Sequence, residues 1–404
     1  VIAYPLPAQS REDLLAALRL IGADPRSNAY FEPKRDLLSL FIPKADFRAA
    51  AFLKQELLAR GGDAVVNRGV ISCEASESAV LLLGTPGQLR SLTEKLGALP
   101  CWGLPGIREG LSRALAGMDR SAWTFSFREG RVLSLGKRTA VMGILNLTSD
   151  SFYAKSRIPP EDDLLSRARS MVAAGAAVLD LGAESTRPGS DPVPEAEETG
   201  RLLPAVAAVR KAFPETVISA DTWKAKVALE AVRAGADIIN DISGLGFDPD
   251  LPGAVAESGA ALVLSHIQGT PRDMQKDPKY EDTVGDILRY FEERLSLAEK
   301  AGIPAERIIL DPGLGFGKRR EDNLRILRNL DAFRVFGRPL LIGHSRKGFI
   351  GATLGLDAPE DRLEGTLAVT ALCGLHHAAL VRVHDVEENV RVLSMLGAIG
   401  ECRE

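Results

Sequence analysis

Thr139–Leu145 reads TAVMGIL: seven residues, apolar but for the leading threonine, with no helical spacing, running into Asn146 and then a Thr/Ser/Asp cluster. A short apolar run bounded by polar turn residues is the pattern of a strand buried on both faces. The same pattern recurs downstream at Val178–Leu181, Val217–Ala220, Ile238–Ile239, Ala261–Leu264, Ile308–Leu310, Leu340–Ile342 and Leu380–Val383. Between these runs lie amphipathic stretches, among them 161–174, 195–213, 224–234, 284–301 and 363–376, with apolar residues three and four apart. Eight such strands alternating with helices predict a parallel sheet covered on its outside, and the length matches a closed (β/α)8 barrel better than an open sheet.

Working outward, residues 123–137 (WTFSFREGRVLSLGK) alternate about Glu129-Gly130 and predict a hairpin capping the barrel's N-terminal end. Upstream the pattern changes to a small α+β domain over residues 1–120, with the barrel and its hairpin occupying 121–404. In that domain the expectation is helix at 12–21, strand at 37–42, helix at 47–59, strands at 64–71 and 79–83, and helix at 88–96. A break over Cys101–Gly106 and a short helix at 107–116 complete it. It carries no catalytic constellation, and an oligomerisation or packing role is expected of it.

The chain has 404 residues, 45% of them hydrophobic, enough for two cores. No uncharged apolar run is long enough to span a membrane and the start lacks a secretion-signal pattern, so a cytoplasmic protein is expected. Net charge is −4, slightly positive up to residue 130 and acidic beyond, which argues against nucleic acid as a partner. Cys73, Cys101, Cys373 and Cys402 lack metal-ligand or disulfide-framework spacing and are read as free, buried thiols.

In a barrel, residues at the carboxyl ends of the strands converge on one mouth. Here those ends are Asn146 with Thr148 and Asp150, the loop Gly182–Ser190, Asp221, Asn240 with Asp241, His266, Asp311, Ser345-Arg346-Lys347, and Arg382 with His384. Asp150, Asp241 and His266 are equally well read as caps or orienting groups. Arg382 and His384 are two apart on a strand and share a face, offering donors suited to phosphate oxygens. Asp221, Asn240, Asp311 and Lys347 supply acceptors, an amide and a cation suited to a flat heterocycle. The loop 311–318 (DPGLGFGK) lets backbone approach a ligand through Gly313, Gly315 and Gly317 and presents Phe316. Its spacing excludes a Walker A loop.

Seven stretches together resemble the dihydropteroate synthase family across residues 121–396: VMGILNLTSDSF (141–152), LDLGAESTRPGS (179–190), ISADTWKA (218–225), ADIINDISG (236–244), LDPGLGFGK (310–318), GHSRKGFIG (343–351) and RVHDV (382–386). The resemblance implies condensation of a 6-hydroxymethyl-dihydropterin diphosphate with p-aminobenzoate, assisted by Mg2+, in a homodimer. By motif position it assigns Asp221, Asn240, Asp311, Gly315 and Lys347 to the pterin, and Asn146, Arg382 and His384 to the diphosphate, with Asn146 also on the metal. Thr186, Arg187, Pro188, Phe316 and Ser345 would form the p-aminobenzoate pocket, and Asp221, Lys347, Arg382 and His384 would carry the chemistry. Two departures stand out. The family's first loop usually runs T-P-D-S-F-S-D-G-G, whereas residues 148–156 read TSDSFYAKS, and Gly348 replaces a common serine. The competing readings are a corrinoid-type pterin methyltransferase, which would not be expected to carry ESTRPG or SRK together with RVHD, and a barrel that binds pterin without turnover.

Overall fold

The structure, a computed structural model, describes residues 11–34, 36–136, 138–147 and 161–401. The first loop, with Thr148 and Asp150, lies outside the described residues. The chain forms two compact units that divide between Asp119 and Arg120.

In the N-terminal unit a three-stranded antiparallel sheet is built from β1 (Leu38–Asp46), β2 (Asp63–Val66) and β3 (Glu77–Gly84), in the order β1-β3-β2. Helices Phe47–Leu58, Pro86–Leu96 and Leu104–Asp119 share its core, in which Leu53, Leu57, Leu82, Leu89 and Leu92 are fully buried. Two expectations need correction. The second strand stops at Val66 rather than running to Ile71, because the Asn67 side chain accepts from the Gly69 amide and turns the chain into a 3-10 helix. The last helix begins at Leu104, inside the expected break: Leu104 is buried in the core, and that burial outweighs the nearby Pro and Gly. Among the described cysteines Cys373 is buried, but Cys101 is only partly so and Cys73 is exposed.

The second unit opens with the hairpin β4 (Trp123–Ser126) and β5 (Val132–Leu135), turned by Glu129 and Gly130, both at positive φ. Eight parallel strands follow: β6 (Ala140–Asn146), β7 (Val178–Gly182), β8 (Val217–Asp221), β9 (Ile238–Asp241), β10 (Ala261–Ser265), β11 (Ile308–Asp311), β12 (Leu341–Gly343) and β13 (Leu380–Val383). Their lateral order is β11-β10-β9-β8-β7-β6-β13-β12, and a single bridge between Leu310 and Leu340 joins the two ends into a barrel. This is the fold that the alternating pattern predicts.

Because alternate residues face inward, the barrel interior sorts into layers. The lower layer is apolar, with Met142, Val178, Val217, Ile238, Ala261, Ile309, Leu341 and Leu380 in one core with Trp123, Phe125, Leu133 and Leu135 of the hairpin. The hairpin therefore plugs the bottom. Two residues further along five of these strands the inward positions turn polar, at Asp180, Ser219, Asn240, Asp311 and Arg382. At the mouth Asn146, Gly182, Asp221 and Asn240 are lateral partners across β6 to β9.

Candidate active site

Above the polar layer opens a cleft of about 1030 Å³, lined among others by Asn146, Thr186, Arg187, Pro188, Asp221, Gly315, Phe316, Lys318, Ser345, Lys347, Arg382 and His384. Asn240 and Asp311 lie buried in the barrel interior.

The floor is a charge network. Arg382 on β13 donates through Nε to Asp180 Oδ2 at 2.6 Å and through Nη2 to Asp221 Oδ2 at 2.6 Å. Asp180 is fully buried, and the Asn240 amide also donates to it, at 3.3 and 3.4 Å. With its NH2 committed to Asp180, Asn240 leaves its oxygen as the atom for a ligand N–H. Burial pushes the Asp221 carboxyl up to about 7 against the pull of Arg382, with Asp180 adding to the rise. The guanidinium itself, despite burial, is held more firmly protonated by Asp180 and Asp221. Sequence reasoning treated Arg382 as an open donor; here its charge is already shared by two carboxylates.

The opposite wall is the loop after β11. Asp311 accepts from the Gly313 amide at 2.7 Å, and burial raises its carboxyl, opposed chiefly by Lys347. Lys347 Nζ donates to the Leu314 carbonyl and stands 4.2 Å from the centroid of Phe316. Burial brings this lysine down to about 8, with Asp311 opposing. The glycines of the loop are required by contact: at Gly313 (φ +66) a Cβ would lie 1.9 Å from the His266 carbonyl, and at Gly315 (φ +82) 3.2 Å from the Lys347 stem. Buried Lys318 bonds His266 Nδ1 at 2.8 Å and the Phe316 carbonyl at 2.9 Å, bracing the loop. Asp241 proves to be a turn anchor, accepting from the Ser243 and Leu245 amides at 2.8 and 2.5 Å.

At the rim Ser345 Oγ meets His384 Nδ1 at 2.9 Å, which leaves Nε2 on the side of the ring away from Ser345. Arg346, at φ 53, lines the cleft with its guanidinium held in a two-pronged pair with Asp385 at 2.8 and 2.7 Å. Arg187 and Pro188 are exposed on the loop after β7, which Ser190 tightens by donating to the Ser185 and Arg187 carbonyls at 2.6 and 2.8 Å. Among the described residues no three His, Cys, Asp or Glu side chains form a metal cage.

A family model described as pterin binding enzyme matches residues 142–384. The chain belongs to the pterin-binding enzyme family. Within that family, the Haloferax volcanii protein named "Probable bifunctional folylpolyglutamate synthase/dihydropteroate synthase" is 40% identical over 356 residues, covering 86% of this chain and 42% of that protein. The chain thus spans about two fifths of the length of the first curated relatives it matches. The dihydropteroate synthase of Escherichia coli is 42% identical over 278 residues, 69% of this chain and 97% of that enzyme. A solved structure of the Xanthomonas albilineans dihydropteroate synthase with 4-aminobenzoic acid superposes with a TM-score of 0.63 at 38% identity, covering 68% of this chain and 97% of that one. The Haloferax match covers more of the chain than residues 120–404 alone could supply, so it extends into the N-terminal unit.

For a pterin-binding enzyme the cleft brings together residues from seven strand ends. Sequence reasoning missed Asp180, which ties Arg382 to Asn240. Its signal was parity: Asp180 lies two residues before Gly182, on the inward face of β7. Glu184, Lys224 and Glu198 were also missed. Lys224 Nζ lies between the two glutamates, and nothing in the local pattern marks a buried ion cluster across three elements.

Proposed function

We propose that the chain is a dihydropteroate synthase, a transferase of folate biosynthesis that condenses 6-hydroxymethyl-7,8-dihydropterin diphosphate with p-aminobenzoate to give 7,8-dihydropteroate and pyrophosphate. The observation that carries this reading is the convergence of Asp221, Lys347 and Arg382 in the cleft with buried Asn240 and Asp311 of the barrel interior, an alternation of acceptors and cations. Asp311 and Asn240 offer inward acceptors for ring N–H and amino groups, Lys347 a donor for the ring carbonyl or nitrogen, and Gly315 close backbone approach.

The methylene C–O bond of the pterin diphosphate breaks, the arylamine nitrogen bonds to that carbon, and the nitrogen loses a proton. Cationic character on the methylene would be met by the Asp221 carboxylate, and the charge on the departing diphosphate by Arg382, His384 and Asn146. Thr186, Arg187, Pro188, Phe316 and Ser345 would hold the arylamine, whose weakly basic nitrogen needs positioning more than deprotonation. Asn146 offers one neutral oxygen at the mouth, a donor set suited to a magnesium ion that takes most of its ligands from diphosphate and water. When bound there, magnesium would supply positive charge to the leaving group. The named relatives favour this reading over a methyltransferase. We also place the protein in the cytoplasm as a homodimer, which would cover Leu375, Met395 and Ile399, exposed on the last two helices. No helix among the described residues is long and apolar enough to cross a membrane.

The test is a turnover assay with the pterin diphosphate, p-aminobenzoate and Mg2+. Pyrophosphate release matched by dihydropteroate formation is expected. Pterin binding with no release would establish the non-catalytic barrel instead.

A further inference from the structure

The loop carrying Thr186, Arg187 and Pro188 is rooted through one side chain. Glu184, just past the end of β7, accepts from Trp223 Nε1 at 3.0 Å, from the Val193 amide at 3.2 Å, and from Lys224 Nζ. Lys224 follows β8 and also bonds Glu198 of the helix Glu195–Ala212. All three side chains are enclosed: Lys224 is 9% exposed, Glu184 7% and Glu198 1%. The ammonium stands 4.5 Å from the centroid of the Trp223 ring, and among the described residues Glu198 Oε1 is buried with no hydrogen-bond partner. One cation thus draws together carboxylates from two elements that would otherwise repel in a low-dielectric setting.

We propose that Lys224 is a positioning residue for the arylamine: by holding Glu184 against Glu198 it fixes the root of the loop that presents Thr186, Arg187 and Pro188. This rests on the reading that those three residues line the arylamine pocket. Lys224 itself is not among the residues lining the cleft, so its effect passes through the loop. Removing the ammonium leaves Glu184 and Glu198 facing each other, with Asp221 on β8 adding like charge. Asp248, whose carboxylate accepts from the Ala225 amide at 2.8 Å, lies on the neighbouring loop. Burial already pushes the Glu198 carboxyl up, with Lys224 opposing. Without Lys224 a proton on Glu198 would relieve its repulsion from Glu184.

The experiment compares Lys224→Met with the native protein in steady state. The KM for p-aminobenzoate is expected to rise about tenfold, the size of one coupled interaction. The KM for the pterin diphosphate, and kcat at saturating arylamine, should stay within about twofold. The variant-to-native ratio of arylamine KM should shrink as pH falls, because protonation of Glu198, whose carboxyl burial already raises, replaces the missing cation. The double variant Lys224→Met/Glu198→Gln should recover most of the arylamine affinity without that pH dependence. If Lys224→Met does not fold, Glu184→Gln, which keeps the Lys224–Glu198 pair, should raise the same KM by a smaller factor. An unmoved arylamine KM in Lys224→Met, where Thr186→Ala raises it, would overturn the inference and leave the pocket assignment standing. If Thr186→Ala also has no effect, the pocket assignment fails and this inference falls with it. Equal losses for both substrates at every pH would mark general damage and overturn it too.

Discussion

Among single residues, Asp221 ties chemistry to pH most directly. Its carboxyl is raised to about 7, mainly by burial, so near neutrality it exists in both forms. Only the ionised form can oppose a developing cation. We expect kcat/KM for the pterin diphosphate to climb as pH rises through about 7, and Asp221→Asn to remove that limb and lower the plateau by on the order of a hundredfold. A pH–rate profile of the two proteins checks this. The same shift acts on stability with the opposite slope. The folded value lies above the ordinary 3.8, so the ligand-free fold binds the proton more tightly than the unfolded chain. The contribution of Asp221 is full below about 4 and lost as pH rises through about 7. The sequence showed Asp221 because it ends a strand and starts a loop. Asp180 was hidden because it interrupts the apolar run LDL, where a polar residue reads as noise until the inward parity of β7 is known.

Among elements, the strands were legible and their ends less so. Seven of them run one or two residues beyond the apolar core, to Asn146, Gly182, Asp221, Asp241, Ser265, Asp311 and Gly343. The last residues still hydrogen-bond laterally while facing a polar mouth, so hydropathy stops before the strand does. The hairpin at the other end was also legible, from its alternation. Phe125 is 3% exposed and packs with the first inward residues of the strands. Phe125→Ala should therefore cost about 3–5 kcal/mol of stability while leaving both substrate KM values unchanged, since the site lies at the other mouth. Denaturant unfolding alongside steady-state kinetics would check this; a changed KM would show that the plug shapes the cleft.

For the whole molecule, the two units own separate cores, one around Leu53, Leu82 and Leu92 and the other inside and below the barrel. The Escherichia coli enzyme aligns with 69% of this chain, about the barrel's share. A chain starting at Arg120 should therefore fold and keep measurable synthase turnover. Circular dichroism and the pyrophosphate assay would test it, and a folded but inactive product would assign the N-terminal unit a part in the site. The role of that unit was not legible because its sequence offers packing residues and no reactive constellation. The barrel was legible because an eightfold repeat of one pattern leaves few ways to bury every strand.

The eight strands are closed at only one joint, the bridge between Leu310 and Leu340. A hoop with one clasp has a preferred line of rupture, and thermal breathing would gather along it instead of spreading evenly round the ring. Asp311 ends the strand on one side of that line and Lys347 follows the strand on the other, and the bond from Lys347 to the Leu314 carbonyl links the two sides. A ligand grasped by both residues would act as a second fastening, so the bound protein would resist prying apart at this seam more than anywhere else on its circumference.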